Sequence, residues 1–79
     1  MTNLETYTKA FTDTFDITEE QTKGLKYQDI EAWDSVGHMA LISALEEAFD
    51  IMMDTDDIID FSSYEKGKEI LESNYDIEF

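Results

Sequence analysis

Apolar residues recur at steps of three and four along most of the chain. Leu4, Tyr7, Phe11 and Phe15 fall on one face of a helix. Thr2 and Glu5 form a capping box ahead of it, a hydroxyl and a carboxylate that each take a free backbone N–H. This predicts a first helix from Asn3 to Phe15. A second pattern runs from Val36 to Phe49, with Leu41, Ile42, Leu45 and Phe49 as its inner stripe and Ser35 or Asp34 as N-cap. A short third segment, Thr55 to Asp60, turns Ile58 and Phe61 inward and carries acids in its first turn, where they suit the helix dipole. Ser62 and Glu65 read as the capping box of a fourth helix, whose face is Tyr64, Gly67, Ile70 and Leu71.

Residues 16 to 34 are less regular. Thr18 and Gln21 fit the cap of a single helical turn, while Leu25, Tyr27, Ile30 and Trp33 are apolar anchors without a period. So long a connection is uncommon in a compact domain and is often functional. Strand alternation, internal repeats and low-complexity segments are absent. The expected fold is all-α and spans residues 1–79 as one domain. It is a four-helix bundle with three longer helices, one short third helix and a long loop between the first two.

Composition narrows the function. Twenty acids against five lysines give a formal net charge of −15. Nucleic acid and anionic membrane surfaces are excluded as direct partners, because both need Lys and Arg. Proteins with basic patches are the natural partners. Disorder is rejected because 42% of residues are hydrophobic and 13% aromatic, and they fall at regular spacing. A domain of this length has a thin core, so function is expected on its surface. With no Cys, the chain supplies no disulfide or thiol chemistry of its own. No signal peptide pattern opens it and no apolar run is long enough for a membrane helix, so a cytoplasmic address is expected; the chain is also expected to be a monomer.

The segment Trp33-Asp34-Ser35-Val36-Gly37-His38-Met39 carries the most chemistry. A Ser at a helix start is ordinarily a cap. The same position favours a phosphate on that Ser, because free N–H groups and the positive dipole end lie there. Gly37 removes bulk beside it, which would let another protein approach.

Asp34-Ser35-Val36 resembles the Asp-Ser-Leu signature of acyl carrier proteins. The likeness continues through Leu41-Ile42-Ser43-Ala44-Leu45-Glu46-Glu47-Ala48-Phe49-Asp50-Ile51, which is similar to that family's second helix with its Leu-Glu-Glu-x-Phe ending. Asp56-Asp57-Ile58-Ile59-Asp60-Phe61 resembles its acidic third helix. The resemblance implies a 4′-phosphopantetheine arm, transferred from coenzyme A to Ser35 by a phosphopantetheinyl transferase, with Asp34 and Val36 flanking the attachment. The arm's thiol would hold an acyl group as a thioester, so the reactive sulfur is imported. Further implied partners are an acyl- or aminoacyl-loading enzyme and a downstream synthase or transferase with a basic docking patch. Docking would use Val36 and Met39 as an apolar centre and Glu46, Glu47, Asp56, Asp57 and Asp60 as a charged rim on Ser35's side of the domain. Ala40 and Ser43 stand where the family often has an acid and a bulky apolar residue, and together with Trp33 they imply a specialised member.

Competing readings are weaker. Ser35 and His38 are spaced like a nucleophile and base, but no acid is placed to orient the imidazole, so His38 is expected to face solvent near the docking surface. An EF-hand loop begun at Asp54 puts Asp56 at position 3 and Glu65 at position 12, then fails at Ile58 and Ile59, where a ligand and a Gly are needed. Met39, Met52 and Met53 read as adaptable core or contact residues and Trp33 as an anchor for the long loop. An aminoacyl or peptidyl carrier and an unmodified acidic interaction module are the alternative functions.

Overall fold

A computed structural model describes all 79 residues and is all-α. Its elements are α1 (Asn3–Phe15), α2 (Glu19–Thr22), α3 (Ser35–Phe49), α4 (Thr55–Asp60) and α5 (Tyr64–Asn74). The boundaries expected for the first and third helices are the ones found. The second begins one residue earlier than expected. One turn within the long connection, α2, makes a fifth helical segment.

Local chemistry explains these limits. The Thr2 hydroxyl takes the Glu5 N–H and the Glu5 carboxylate takes the Thr2 N–H, at 3.1 and 2.9 Å. That backbone bond holds the Glu5 carboxyl below the usual carboxylate range. Thr18 and Gln21 cap α2 in the same reciprocal way. Helices α1 and α3 both end on an Asp in the left-handed region, Asp16 at φ 55° and Asp50 at φ 54°. The short polar side chain makes that conformation tolerable outside glycine.

The start of α5 differs from the expected Ser62–Glu65 box. Ser63 is the N-cap, its hydroxyl taking the Lys66 N–H at 2.9 Å. Ser62 is committed elsewhere: its carbonyl accepts the Tyr27 N–H, while the Leu25 carbonyl accepts the Tyr64 N–H, both at 2.9 Å. Together with the Lys26–Ser63 bridge, these bonds keep the chain extended through Ser63 and delay the helix by one residue.

The core is aromatic. Tyr7, Phe11 and Phe15 of α1 run through its centre, in contact with Trp33, Phe61 and Tyr64 at ring-centroid distances of 5.0–6.4 Å. Leu41, Ile42 and Leu45 close it from α3, and Ile70 and Leu71 from α5. Leu4, expected on the inner face, is exposed, and Phe49 and Ile58 are only half-buried. The long connection contributes fully to the core through Leu25 and Trp33, and the C-terminal segment through Ile77. Gly67 is needed at its site: a Cβ there would collide with the Phe61 ring and the Tyr7 hydroxyl. That hydroxyl donates to the Tyr64 carbonyl at 2.7 Å, and burial pushes the phenol well above its ordinary range.

Charge does little to hold the fold together. Lys9–Asp13, Lys23–Glu20 and Lys68–Glu65 are one-turn ion pairs on helix surfaces, of a kind worth about 0–1 kcal/mol each. No helix is long and apolar enough to cross a membrane.

Candidate functional site

Asp34 and Ser35 divide the work at the start of α3. Asp34 is the N-cap, its carboxylate taking the Gly37 N–H at 2.8 Å and its carbonyl the His38 N–H at 2.7 Å. Ser35 is the first helical residue, exposed, and its hydroxyl has no capping duty. Its neighbour is the Tyr27 hydroxyl at 3.4 Å, longer than a good O–H···O bond. The first-turn N–H groups and the positive end of the α3 dipole lie beside a free, accessible hydroxyl, an arrangement that favours an anion on that oxygen.

An open, largely apolar groove of about 390 Å³ begins at Ser35. His38 and Met39 of α3 form one wall, Ile58 and Ile59 of α4 the other, with Phe61 and Ser62 beyond and Tyr27 from the long connection. Its size lies in the range of small-molecule sites, about 300–1,000 Å³. Met39 is 50% exposed and Ile59 71%, so the mouth carries apolar surface in a chain of high charge, and Val36, next to Ser35 in the chain, is 80% exposed. Residues 35–45 contain no acid and no lysine.

His38 does not face solvent as expected. It is half-buried, and both ring nitrogens are engaged: Trp33 Nε1 donates to Nδ1 at 2.9 Å, and Nε2 lies 2.8 Å from the Ile58 carbonyl. Indole is a donor only, so Nδ1 must accept, and the neutral ring carries its proton on Nε2, donated to Ile58. Neither nitrogen is left to activate Ser35, which removes the nucleophile–base reading. The imidazole instead ties three elements together: the long connection through Trp33, α3 through its own backbone, and α4 through Ile58. Trp33 is fully buried and stacks on Phe15 at 5.4 Å, which makes it the anchor expected.

Gly37 serves the fold and not an approaching partner. A Cβ at this position would run into the Ala32 carbonyl and crowd the Phe15 ring, so glycine lets the long connection lie against the first turn of α3.

The acids expected around Ser35 separate into groups. Glu46 is half-buried and its carboxylate takes the Met53 N–H at 2.9 Å, securing the turn after α3. Asp57 accepts from Asn74 Nδ2 at 2.9 Å and from the Tyr75 hydroxyl at 2.7 Å, securing α4 to the end of α5. Asp56 and Asp57 border one hollow against Ser73 and Asn74, and Asp57 and Asp60 border another against α5. Glu47 borders a hollow between α1 and α3. The geometry therefore gathers Ser35, Met39, Ile58 and Ile59 at the groove, leaves Val36 outside its lining and turns the α4 acids toward α5. No group of acids or His is arranged to hold a metal ion.

Three groove residues escaped the sequence reading as site residues. Tyr27 was legible only as an aperiodic anchor, and Ser62 only as a cap. Ile59 follows Ile58 in a helix too short to show a face, and nothing in the pattern marks that both border a site.

Comparison of the chain with family models, with curated proteins and with solved structures gives no match.

Proposed function

We propose that this protein is a phosphopantetheine-dependent carrier that holds an acyl group as a thioester on an arm attached to Ser35. One observation carries the reading: Asp34 takes the capping role, so the Ser35 hydroxyl stands exposed and uncommitted where a helix start meets an apolar groove. The residues fit the group. Ser35 Oγ would form the ester bond to phosphorus, while one phosphoanhydride bond of coenzyme A breaks, the nucleotide leaves and the hydroxyl proton is lost. The unpaired N–H groups of the first α3 turn favour the phosphodiester charge. The bound arm supplies a thiol, which a chain without cysteine lacks.

The groove also favours one cargo class. Its walls are mainly Met39, Ile58, Ile59 and Phe61, and both nitrogens of its one imidazole are engaged. An apolar acyl chain would gain by entering, whereas the ammonium of an aminoacyl group would find hydroxyls of Tyr27, Ser35 and Ser62 but no carboxylate in the lining. This supports an acyl over an aminoacyl or peptidyl carrier. In this reading α1, α3, α4 and α5 are the four helices of a carrier bundle and α2 is a turn within its long connection. The partners are a phosphopantetheinyl transferase, a loading enzyme and a synthase or transferase with a basic patch, and the setting is the cytoplasm, where coenzyme A is to hand. Val36 and Met39 would be the apolar contact, with Glu47, Asp56 and Asp60 as exposed charges.

Incubation with coenzyme A and a phosphopantetheinyl transferase tests the proposal. One arm should be added per chain, seen by intact mass, and none to Ser35→Ala. Equal modification of Ser35→Ala would refute the site. A chain that stays unmodified with an active transferase would be an acidic interaction module instead.

A further inference from the structure

Tyr27 is held more firmly than a residue of an irregular connection need be, and its hydroxyl has little to do. The ring stands edge-on to Trp33 and to His38, with centroids 6.2 and 5.5 Å away. Its backbone N–H is bound to the Ser62 carbonyl at 2.9 Å. The next residue, Gln28, sits at φ 70°, a conformation that residues other than glycine seldom adopt. Three bonds hold that turn: Gln28 N–H to the Trp33 carbonyl and Asp29 N–H to the Lys26 carbonyl, both at 3.0 Å, and Lys26 N–H to the Asp29 carboxylate at 2.9 Å. All this fixes a phenol whose hydroxyl lies 3.4 Å from Ser35 Oγ and makes no closer bond. A phenylalanine would pack equally well against Trp33 and His38. The hydroxyl is therefore the part of the side chain that packing leaves unexplained.

We infer that Tyr27 is a positioning residue: its hydroxyl donates to a non-bridging oxygen of the phosphodiester carried on Ser35 and holds the arm over the groove. The inference rests on the carrier reading above. A phosphodiester on Oγ puts anionic acceptors two bonds, Oγ–P and P–O, beyond the atom that Tyr27 already faces. A hydrogen bond from a neutral donor to an anion is shorter and stronger than one between neutral groups. The donor's position decides the direction of the arm. Tyr27 borders the groove, whereas Val36 lies on the open side of Ser35, 80% exposed. A phosphate bound to Tyr27 starts the arm toward Met39 and Ile59, and one without that bond is free to swing outward past Val36. The helix-start N–H groups favour the phosphate's charge without directing the arm into the groove, and Asp34 beside the attachment point is itself an acid.

The experiment compares wild-type protein with Tyr27→Phe, both in the modified form with one arm per chain by mass. Phosphorus NMR reads the phosphodiester directly, and a nitroxide on the arm's thiol reads its location through broadening of the Met39 and Ile59 methyl signals. In Tyr27→Phe the phosphorus resonance should move toward that of the free phosphodiester. The ratio of arm over the groove to arm in solvent should fall about five- to tenfold, with the broadening reduced accordingly. The retained ring keeps the packing, so an unchanged melting temperature will separate the effect from general loosening. Identical phosphorus shifts and broadening in the two proteins would overturn the inference while leaving the carrier reading intact. Failure of both chains to gain the arm's mass would instead remove the carrier reading, and the inference with it.

Discussion

Helix α4 is held from two sides by different chemistry. It has six residues, no side-chain cap and no fully buried residue, so packing alone fixes it poorly. On the groove side the clip is neutral and half-buried: His38 links Trp33 to the Ile58 carbonyl. On the α5 side the clip is anionic and nearer the surface. Asp57 takes bonds from Asn74 and Tyr75, and the Tyr75 hydroxyl takes the Asp54 N–H at 2.7 Å. Two lessons follow from the difference. The groove wall stays uncharged because its polar links are made by an imidazole and an indole. The acids, which sequence reading treats as one docking field, include members that hold the fold.

Breaking the neutral clip should have the largest effect. His38→Ala leaves the Trp33 N–H and the Ile58 carbonyl without partners in a partly buried place, at about 1–3 kcal/mol for each group so stranded. A total loss of about 2–4 kcal/mol is expected in urea unfolding, and water reaching the new space would set the lower end. For a domain of this size each kcal/mol lowers the melting temperature by about 4–8 °C. The Trp33 indole N–H resonance should move at the same time. A loss under 1 kcal/mol with an unmoved indole signal would show that the His38 links are not holding the wall.

The anionic clip should be weaker and should respond to salt. Asp57→Ala frees two donors that water can reach, so about 1 kcal/mol is expected at moderate salt. At low salt the same change also relieves repulsion in a chain of charge −15, and the measured loss should shrink. His38→Ala should show no such dependence. The parent protein itself should gain melting temperature as salt rises to about 0.15 M, because exposed acids are then screened. Equal salt responses for the two variants would remove the distinction between the clips.

How much of this was legible in the sequence follows from the physics of each part. The first, second and third strong patterns gave helices within one residue of those found, because Tyr7, Phe11, Leu41, Leu45 and their caps act locally. Ser35 stood out as a candidate because its neighbours resemble a motif. The His38 links were not, since they depend on Trp33 five residues back and Ile58 twenty residues on. The same holds for the start of α5, decided by backbone bonds from Leu25 and Tyr27, and for Gly37, whose constraint is the Ala32 carbonyl. Asp57 and Glu46 looked like surface charge because nothing local distinguishes a solvated carboxylate from one that closes a turn.

That distinction alters the choice of residues for a docking test. Reversing Glu46 or Asp57 would disturb the fold and confuse the outcome. Glu47 and Asp56 are exposed and have no side-chain bond that the fold needs. Glu47→Lys with Asp56→Lys should leave urea unfolding within about 0.5 kcal/mol of the parent. On the carrier proposal it should slow association with a phosphopantetheinyl transferase severalfold at low salt, less at high salt, as expected of charges that steer an encounter. Unchanged association would confine docking to the uncharged surface about Val36 and Met39.

The smallest expected effect is alkaline loosening of the α5 side. Burial of its hydroxyl is the largest influence on Tyr75 and raises the phenol above its ordinary range; the Asp54 N–H works in the opposite direction, and the Asp57 carboxylate adds to the rise. A group whose folded value lies above its unfolded one stabilises the fold fully below the unfolded value and loses that contribution as pH climbs past the folded one. For Tyr75 this window opens above about pH 10. Ionisation there removes the donor to Asp57 and sets two anions against each other, while the Asp54 N–H still finds an oxygen. The Asn74 and Asp57 signals should therefore shift more than the Asp54 amide as pH rises through this window. The Ile58 amide and the Trp33 indole, held by the neutral clip, should stay in place until the domain unfolds. In Tyr75→Phe the alkaline shift at Asn74 should vanish. Its persistence would mean that Tyr75 does not govern this end of α4, and movement of the Ile58 amide with it would mean that the two sides of the helix are coupled.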